Sequence, residues 1–206
     1  MKKIILILLT LLLFTGCSVV RIDTSSIDNI LNVILTKENK LFNQVGQGYK
    51  YYLPSDVSYI ESDGLNDILY SNGTYYYLYV DAISYYYKVE NNYSVNKDAY
   101  YSKVFDPKDG FKKSGYLEIL EDKNAYYVNF VYNYAKIETV VKKEELNNAI
   151  LNASYILSTI KYNEDIVKLM LEEDYFTNKT GKLKDYDNTS ESEKFVLQKE
   201  DELKEG

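Results

Sequence analysis

The spacing of apolar residues changes twice along the chain, and this limits the possible folds more than any other feature. Apolar side chains recur at helical spacing between Ile27 and Leu35, alternate with a period of two over much of 49–141, and return to helical spacing between Leu146 and Ile160. A sheet cannot bury one face without a covering layer. The sequence therefore predicts an α+β fold, an antiparallel sheet of six to eight strands with an N-terminal and a long C-terminal helix packed on it.

Turn residues divide the chain into elements. The first helix should run from Ile27 to near Lys40, with the hydroxyls of Thr24, Ser25 and Ser26 as candidate N-caps. The last helix should run from about Lys143 to Lys161. Asn72-Gly73 predicts a tight hairpin, and 121–124 should turn a second one. Strands are expected over 49–53, 57–61, 65–71, 74–81, 84–90, 99–105, 116–120 and 125–141, the last with a break within 134–138.

The C-terminal segment differs from the rest in charge. Residues 164–206 carry thirteen acidic residues and seven lysines, and the part beyond 174 has no apolar periodicity. Such a composition favours a solvated chain over a packed one. We therefore expect an α+β domain over 24–174 and an acidic disordered tail over 175–206.

The N-terminus has the layout of a secretory signal. Lys2 and Lys3 precede an apolar run over 4–14, which is interrupted only by Thr10 and followed directly by Thr15-Gly16-Cys17. The run is shorter than the ~20 residues that span a bilayer comfortably.

The stretch Leu13-Phe14-Thr15-Gly16-Cys17 resembles the lipobox of bacterial lipoprotein precursors, with Phe14 where leucine is commonest. The resemblance implies a signal peptide over 1–16, diacylglycerol on the Cys17 sulfur and a lipidated tether over 17–23. It places the protein on the extracytoplasmic face of the cell membrane, held by acyl chains such as palmitate. Two acyl chains anchor a domain stably where one does not. An uncleaved signal anchor and an ordinary signal with a chance cysteine are the alternatives.

Composition excludes several function classes. The chain has no histidine and one cysteine, so it lacks imidazole catalysis, thiolate metal sites and internal disulfides. Arg21 is the single arginine, which argues against bidentate phosphate recognition. A net charge of −7 argues against nucleic acid as a partner. We expect no cofactor and no enzymatic activity.

The mature region also has a topological likeness to a known fold. A helix, an early Gly48-Tyr49-x-Tyr51-Tyr52-Leu53-Pro54 strand and a late long helix resemble the PsbP-like sandwich of some envelope lipoproteins. The likeness concerns the order of elements and assigns no functional residue.

Tyrosine is the most abundant candidate for binding, with 24 copies. Alternation places Tyr75, Tyr77 and Tyr79 on one face of a strand, with Tyr85 and Tyr87 on one face of the next. Cross-strand aromatic pairs stabilise sheets without any ligand. A tyrosine ring with one polar tip also suits a half-hydrated binding surface. These five residues are the candidate binding surface, for an envelope protein or a glycan.

Three functions fit these observations. The first is a lipid-anchored, non-catalytic envelope protein that binds a neighbouring protein or cell-wall component through a tyrosine-rich sheet. The alternative is a carboxylate-dependent enzyme acting on cell-envelope glycan, which needs two carboxyl groups at ~5–10 Å. Sequence spacing identifies no pair, although Asp63, Asp67, Asp81 and Glu118 are available. A purely structural spacer is the third.

Overall fold

The computed structural model describes residues 23–172, which form an α+β fold. The predicted signal peptide, Cys17 with most of its tether, and the predicted acidic tail lie outside the described residues. Four α-helices lie within the described part: α1 (Ile27–Leu35), α2 (Ala82–Tyr87), α3 (Leu146–Thr159) and α4 (Glu164–Glu172). No helix in that part is both long and apolar enough to cross a membrane.

A seven-stranded antiparallel sheet forms the centre of the fold. Its strand order is β3-β4-β5-β9-β8-β7-β6. The bounds are β3 (Ser58–Asp63), β4 (Asn66–Ser71), β5 (Thr74–Val80), β6 (Tyr101–Phe105), β7 (Gly115–Asp122), β8 (Ala125–Tyr132) and β9 (Ala135–Lys142). The predicted fold class and strand number are confirmed.

A small sheet of order β1-β2-β10 accompanies the large one. It comprises β1 (Gln44–Val45), β2 (Tyr49–Tyr51) and β10 (Lys161–Tyr162). Tyr49 and Tyr51 belong to the main hydrophobic core. Their hydroxyls donate to Asp67 Oδ2 on β4, at 3.0 and 2.8 Å. These two bonds connect the small sheet to the large one.

The two faces of the large sheet differ in what covers them. The inner face carries Tyr76, Leu78 and Val80 of β5 and packs with buried residues of α1 and α3 into one core. The outer face carries Tyr75, Tyr77 and Tyr79, where a smaller cluster pairs Ile68 with Tyr77. The predicted division of β5 into two faces is confirmed.

Helix α1 is shorter than predicted, ending at Leu35 rather than near Lys40. The carbonyl of its final residue is hydrogen-bonded to distant parts of the chain. The Leu35 oxygen accepts from Lys112 N and from the Tyr132 hydroxyl, both at 3.0 Å. Thr36 closes the last turn by donating from its hydroxyl to the Asn32 carbonyl. Distant partners therefore end this helix, and its local sequence does not reveal them.

The strand predicted over 84–90 is wrong, because this segment forms α2. The Asp81 carboxylate accepts from Ser84 N at 2.8 Å and caps the first turn. Lys88 adopts a left-handed conformation with φ 55° and ends the helix. Tyr85 and Tyr87 therefore leave the sheet.

The long strand predicted over 125–141 is a hairpin. Asn133 and Tyr134 turn it with φ values of 53° and 59°, the left-handed pair that a tight two-residue hairpin turn requires. The Tyr162 hydroxyl donates to the carbonyls of both turn residues, at 3.0 and 2.7 Å. The predicted break is therefore real, and it begins one residue before the expected segment.

Candidate functional site

The five tyrosines of the predicted binding surface do not lie together. Tyr75, Tyr77 and Tyr79 share the outer face, as predicted, but Tyr77 is buried with only 2 % of its surface exposed. Tyr85 stacks on Tyr162 with ring centroids 3.9 Å apart, and Tyr87 is 66 % exposed on α2. Three of the five residues therefore lie on the outer face, and the other two lie on α2, which follows β5.

Sheet register assembles a row of polar side chains that sequence reasoning missed. Tyr77 of β5 pairs with Glu138 of β9, which pairs with Asn129 of β8. Asn129 pairs in turn with Glu118 of β7, and Glu118 with Ser102 of β6. Directly paired residues project to the same face of a sheet. These five residues, which we term the polar row, cross the outer face over five strands.

Lys136 neutralises one carboxylate of the polar row. Its Nζ lies 2.7 Å from Glu138 Oε1, in an ion pair whose two side chains are largely buried. The same Nζ lies 4.7 Å from the centre of the Tyr79 ring. Burial, and next the charge of Glu138, raise the pKa of the Tyr79 hydroxyl well above its ordinary value. This part of the face holds an ammonium group between a carboxylate and an aromatic ring.

A loop shields the other carboxylate. Glu118 Oε1 accepts from the Tyr93 hydroxyl at 2.7 Å and from Asn96 Nδ2 at 3.0 Å. The Tyr93 ring stacks on Tyr116, with centroids 3.9 Å apart and planes 5° apart. Burial raises the pKa of Tyr116 to about 12. The loop before β6 therefore contacts the outer face at β7. The tyrosines of β5 lie on the same face, on the other side of β8 and β9.

The four carboxylates named from the sequence do not meet. Asp67 lies on the inner face and Glu118 on the outer face, on opposite sides of the sheet. Asp81 caps α2, and Asp63 is exposed at the end of β3. Between residues 23 and 172, no group of three or more Asp, Glu, His or Cys residues is placed to hold a metal ion.

The hairpin turns are the signal that could have revealed the polar row. A turn at Asn133–Tyr134 sets Tyr132 opposite Ala135 and, counting back, Asn129 opposite Glu138. Asn129 is a polar residue within an otherwise apolar and aromatic strand, which marks its position as unusual for a central strand.

No protein-family model, curated protein or solved structure matches this chain.

Proposed function

We propose that the protein is a lipid-anchored, non-catalytic envelope protein that binds a neighbouring protein or a cell-wall component through the outer face of its sheet. One observation carries the proposal. The outer face combines tyrosine rings with the polar row, while α1 and α3 pack on the inner face. Mixed aromatic and polar surfaces of this kind are typical of binding sites that stay partly hydrated.

The anchor part of the proposal is supported by the lipobox resemblance, and the point where the described chain enters the fold indicates which end of the domain an anchor would hold. Asn147 Nδ2, near the start of α3, donates to the Thr24 carbonyl at 2.8 Å. The six residues 18–23 reach at most ~20 Å when extended. A chain anchored at Cys17 would therefore hold this end of the domain near the bilayer. Helix α2 follows β5 at the opposite end of the domain and would therefore lie away from the membrane.

Site-specific photo-cross-linking in intact cells tests the binding function. A photoreactive phenylalanine analogue replaces Tyr75 on the outer face, and in a matched control it replaces Tyr155 on α3. We expect one defined envelope protein or cell-wall polymer to be captured from position 75 and not from position 155. Capture of no specific product from either position contradicts the proposal and favours a structural spacer.

A second candidate function is carboxylate-dependent hydrolysis of envelope glycan. Glu118 and Glu138 lie on the same face and flank Asn129, two strand spacings apart. This corresponds to about 10 Å between backbones, whereas inverting glycosidases need two carboxyl groups about 6.5–9.5 Å apart. Both carboxylates already accept bonds from protein donors, which favours binding over catalysis. Turnover of cell-wall polymer that Glu138→Gln abolishes without unfolding the chain would establish the enzyme instead.

A further inference from the structure

The small sheet carries two lysines that face each other. Lys50 of β2 pairs directly with Lys161 of β10, and on its other side it pairs with Val45 of β1. Directly paired residues project to the same face with Cβ atoms about 4.5–5.5 Å apart, and like charges in that position destabilise a sheet. No other two lysines are direct partners in the strands that the structure describes. We term the side that carries these three residues the small-sheet face.

The two lysines have no carboxylate partner among residues 23–172. The ion pairs in that part of the chain are made by other lysines, which are Lys103, Lys136 and Lys168. Lys50 Nζ lies instead 3.9 Å from the centre of the Phe42 ring. Phe42 is 52 % exposed and Val45 is 77 % exposed. The small-sheet face therefore combines two ammonium groups with two exposed apolar side chains.

This face lies on the side of the domain opposite to the outer face. Tyr49 and Tyr51 alternate with Lys50 along β2, and their rings belong to the main core. Both hydroxyls bond to Asp67 on the inner face of the large sheet. The lysines of the small sheet therefore point away from the large sheet and from the proposed binding surface.

Helix α4 brings the continuing chain close to the small sheet. A Cβ atom at Gly48, in the turn between β1 and β2, would lie 3.3 Å from side-chain atoms of Val167 and of Met170. The end of α4 therefore packs against this turn. From Glu172 to Phe195 the chain can extend over roughly 75 Å, so later residues can reach the small-sheet face. Such a tether raises their local concentration to the millimolar range.

The chain beyond α4 contains acidic and apolar side chains in one segment. Residues 173–206 include ten acidic residues and six lysines. Within them, the apolar run Phe195-Val196-Leu197 has Glu191 and Glu193 before it and Glu200-Asp201-Glu202 after it. Segment 191–202 thus offers carboxylates and apolar side chains together. These are the groups that would complement the lysines and the exposed apolar residues of the small-sheet face.

We propose that segment 191–202 docks on the small-sheet face of its own chain, with carboxylates against Lys50 and Lys161 and the apolar run against Phe42 and Val45. Charge complementarity and the tether select this occupant. Contacts between exposed charges add little to stability, so docking should hardly change the melting temperature. The inference is independent of the proposed function, because it concerns the opposite side of the domain.

Photo-cross-linking within the full chain in detergent tests the proposal. A photoreactive phenylalanine analogue replaces Phe42, and in a matched control it replaces Tyr59, which is 45 % exposed on β3. Mass spectrometry of the monomeric product locates each link. We expect position 42 to link to residues 191–202 at least about threefold more often than position 59 does. Equal yields, no link from position 42 to this segment, or links only between two chains would overturn the proposal.

Neutralising the lysines distinguishes charge-directed docking from chance collision. Lys50→Gln combined with Lys161→Gln should lower the yield from position 42 by about threefold or more. About 1 M NaCl should do the same to the chain that retains both lysines, because it screens exposed charges. Lys108→Gln combined with Lys123→Gln changes two exposed lysines elsewhere and should leave the yield unchanged. An unchanged yield in the first pair or in salt, or an equal loss in both pairs, contradicts the proposal.

Discussion

Replacing Tyr51 with phenylalanine tests how the small sheet is fastened to the large one. The Tyr51 hydroxyl donates to Asp67 Oδ2 at 2.8 Å, and Tyr49 donates to the same oxygen at 3.0 Å. Tyr51 is 1 % exposed and Asp67 4 % exposed. Tyr51→Phe keeps the ring and removes one of the two hydroxyl donors from a buried carboxylate.

The expected cost follows from burial and charge. A hydrogen bond to a charged group contributes about 1.5–3 kcal/mol net, and removing one partner leaves the other undersolvated. Tyr49 remains bonded to Asp67, so we expect a loss of about 2 kcal/mol in the free energy of unfolding. With a urea dependence of about 2 kcal/mol per molar, the unfolding midpoint should fall by about 1 M.

Urea unfolding of the full chain, followed by far-ultraviolet circular dichroism, measures this loss. Tyr52→Phe is the matched control, since Tyr52 is the next residue and its ring packs edge-on against Tyr155. We expect this control to change stability by no more than about 0.5 kcal/mol. A Tyr51→Phe midpoint no lower than that of Tyr52→Phe would refute the bonded connection between the sheets.

Three further predictions concern the core, the tyrosines and the tail. Leu157 of α3 is fully buried, so Leu157→Ala should cost about 2–5 kcal/mol in chemical denaturation; a cost below about 1 kcal/mol would contradict the packing of α3. Burial raises the pKa of Tyr116 and of Tyr132 to about 12. The unfolded chain therefore loses these protons near pH 10 while the folded chain retains them, so stability should hold below about pH 10 and fall above it. Tyrosinate absorbance and circular dichroism, recorded against pH, should show these tyrosines ionising only as the fold is lost. Ionisation of all tyrosines near pH 10 with the fold intact would contradict this. Deleting residues 179–206 should leave the melting temperature nearly unchanged, because the described cores extend from Ile30 to Met170; unfolding of the deletion variant would contradict it.

Local sequence patterns predicted the elements whose signals are themselves local. Asn72-Gly73 joins β4 to β5 in the expected hairpin, with Gly73 at φ 82°. The apolar stripe from Leu146 onward forms α3, but the predicted first turn of this helix, Lys143–Glu145, is a short 3-10 helix. The strand predicted after Asp81 is wrong because three consecutive tyrosines, a residue type enriched in strands, imitate a strand. Asp81 is the stronger signal, because its carboxylate accepts from the amide of Ser84 three residues later and so caps a helix.

The candidate site was predictable only in part, because it depends on register. Alternation alone places Tyr75, Tyr77 and Tyr79 on one face, as observed. Whether Glu138 meets Asn129 depends on a turn at Asn133–Tyr134, and moving that turn by one residue changes every pair along the hairpin. The contact between Tyr93 and Glu118 joins a loop to a strand 25 residues away and has no local signal.

Substitution of Cys17, the proposed acylation site, tests whether the protein is lipid-anchored. The full chain and Cys17→Ser are expressed in a bacterial host with labelled palmitate, and the N-terminus of each is identified by mass spectrometry. We expect label on the parent with acylated Cys17 as its first residue, and an unlabelled Cys17→Ser chain that keeps residues 1–16. Equal cleavage and no label in both would contradict the lipid anchor and indicate a secreted protein, and an uncleaved, unlabelled parent would indicate a signal anchor.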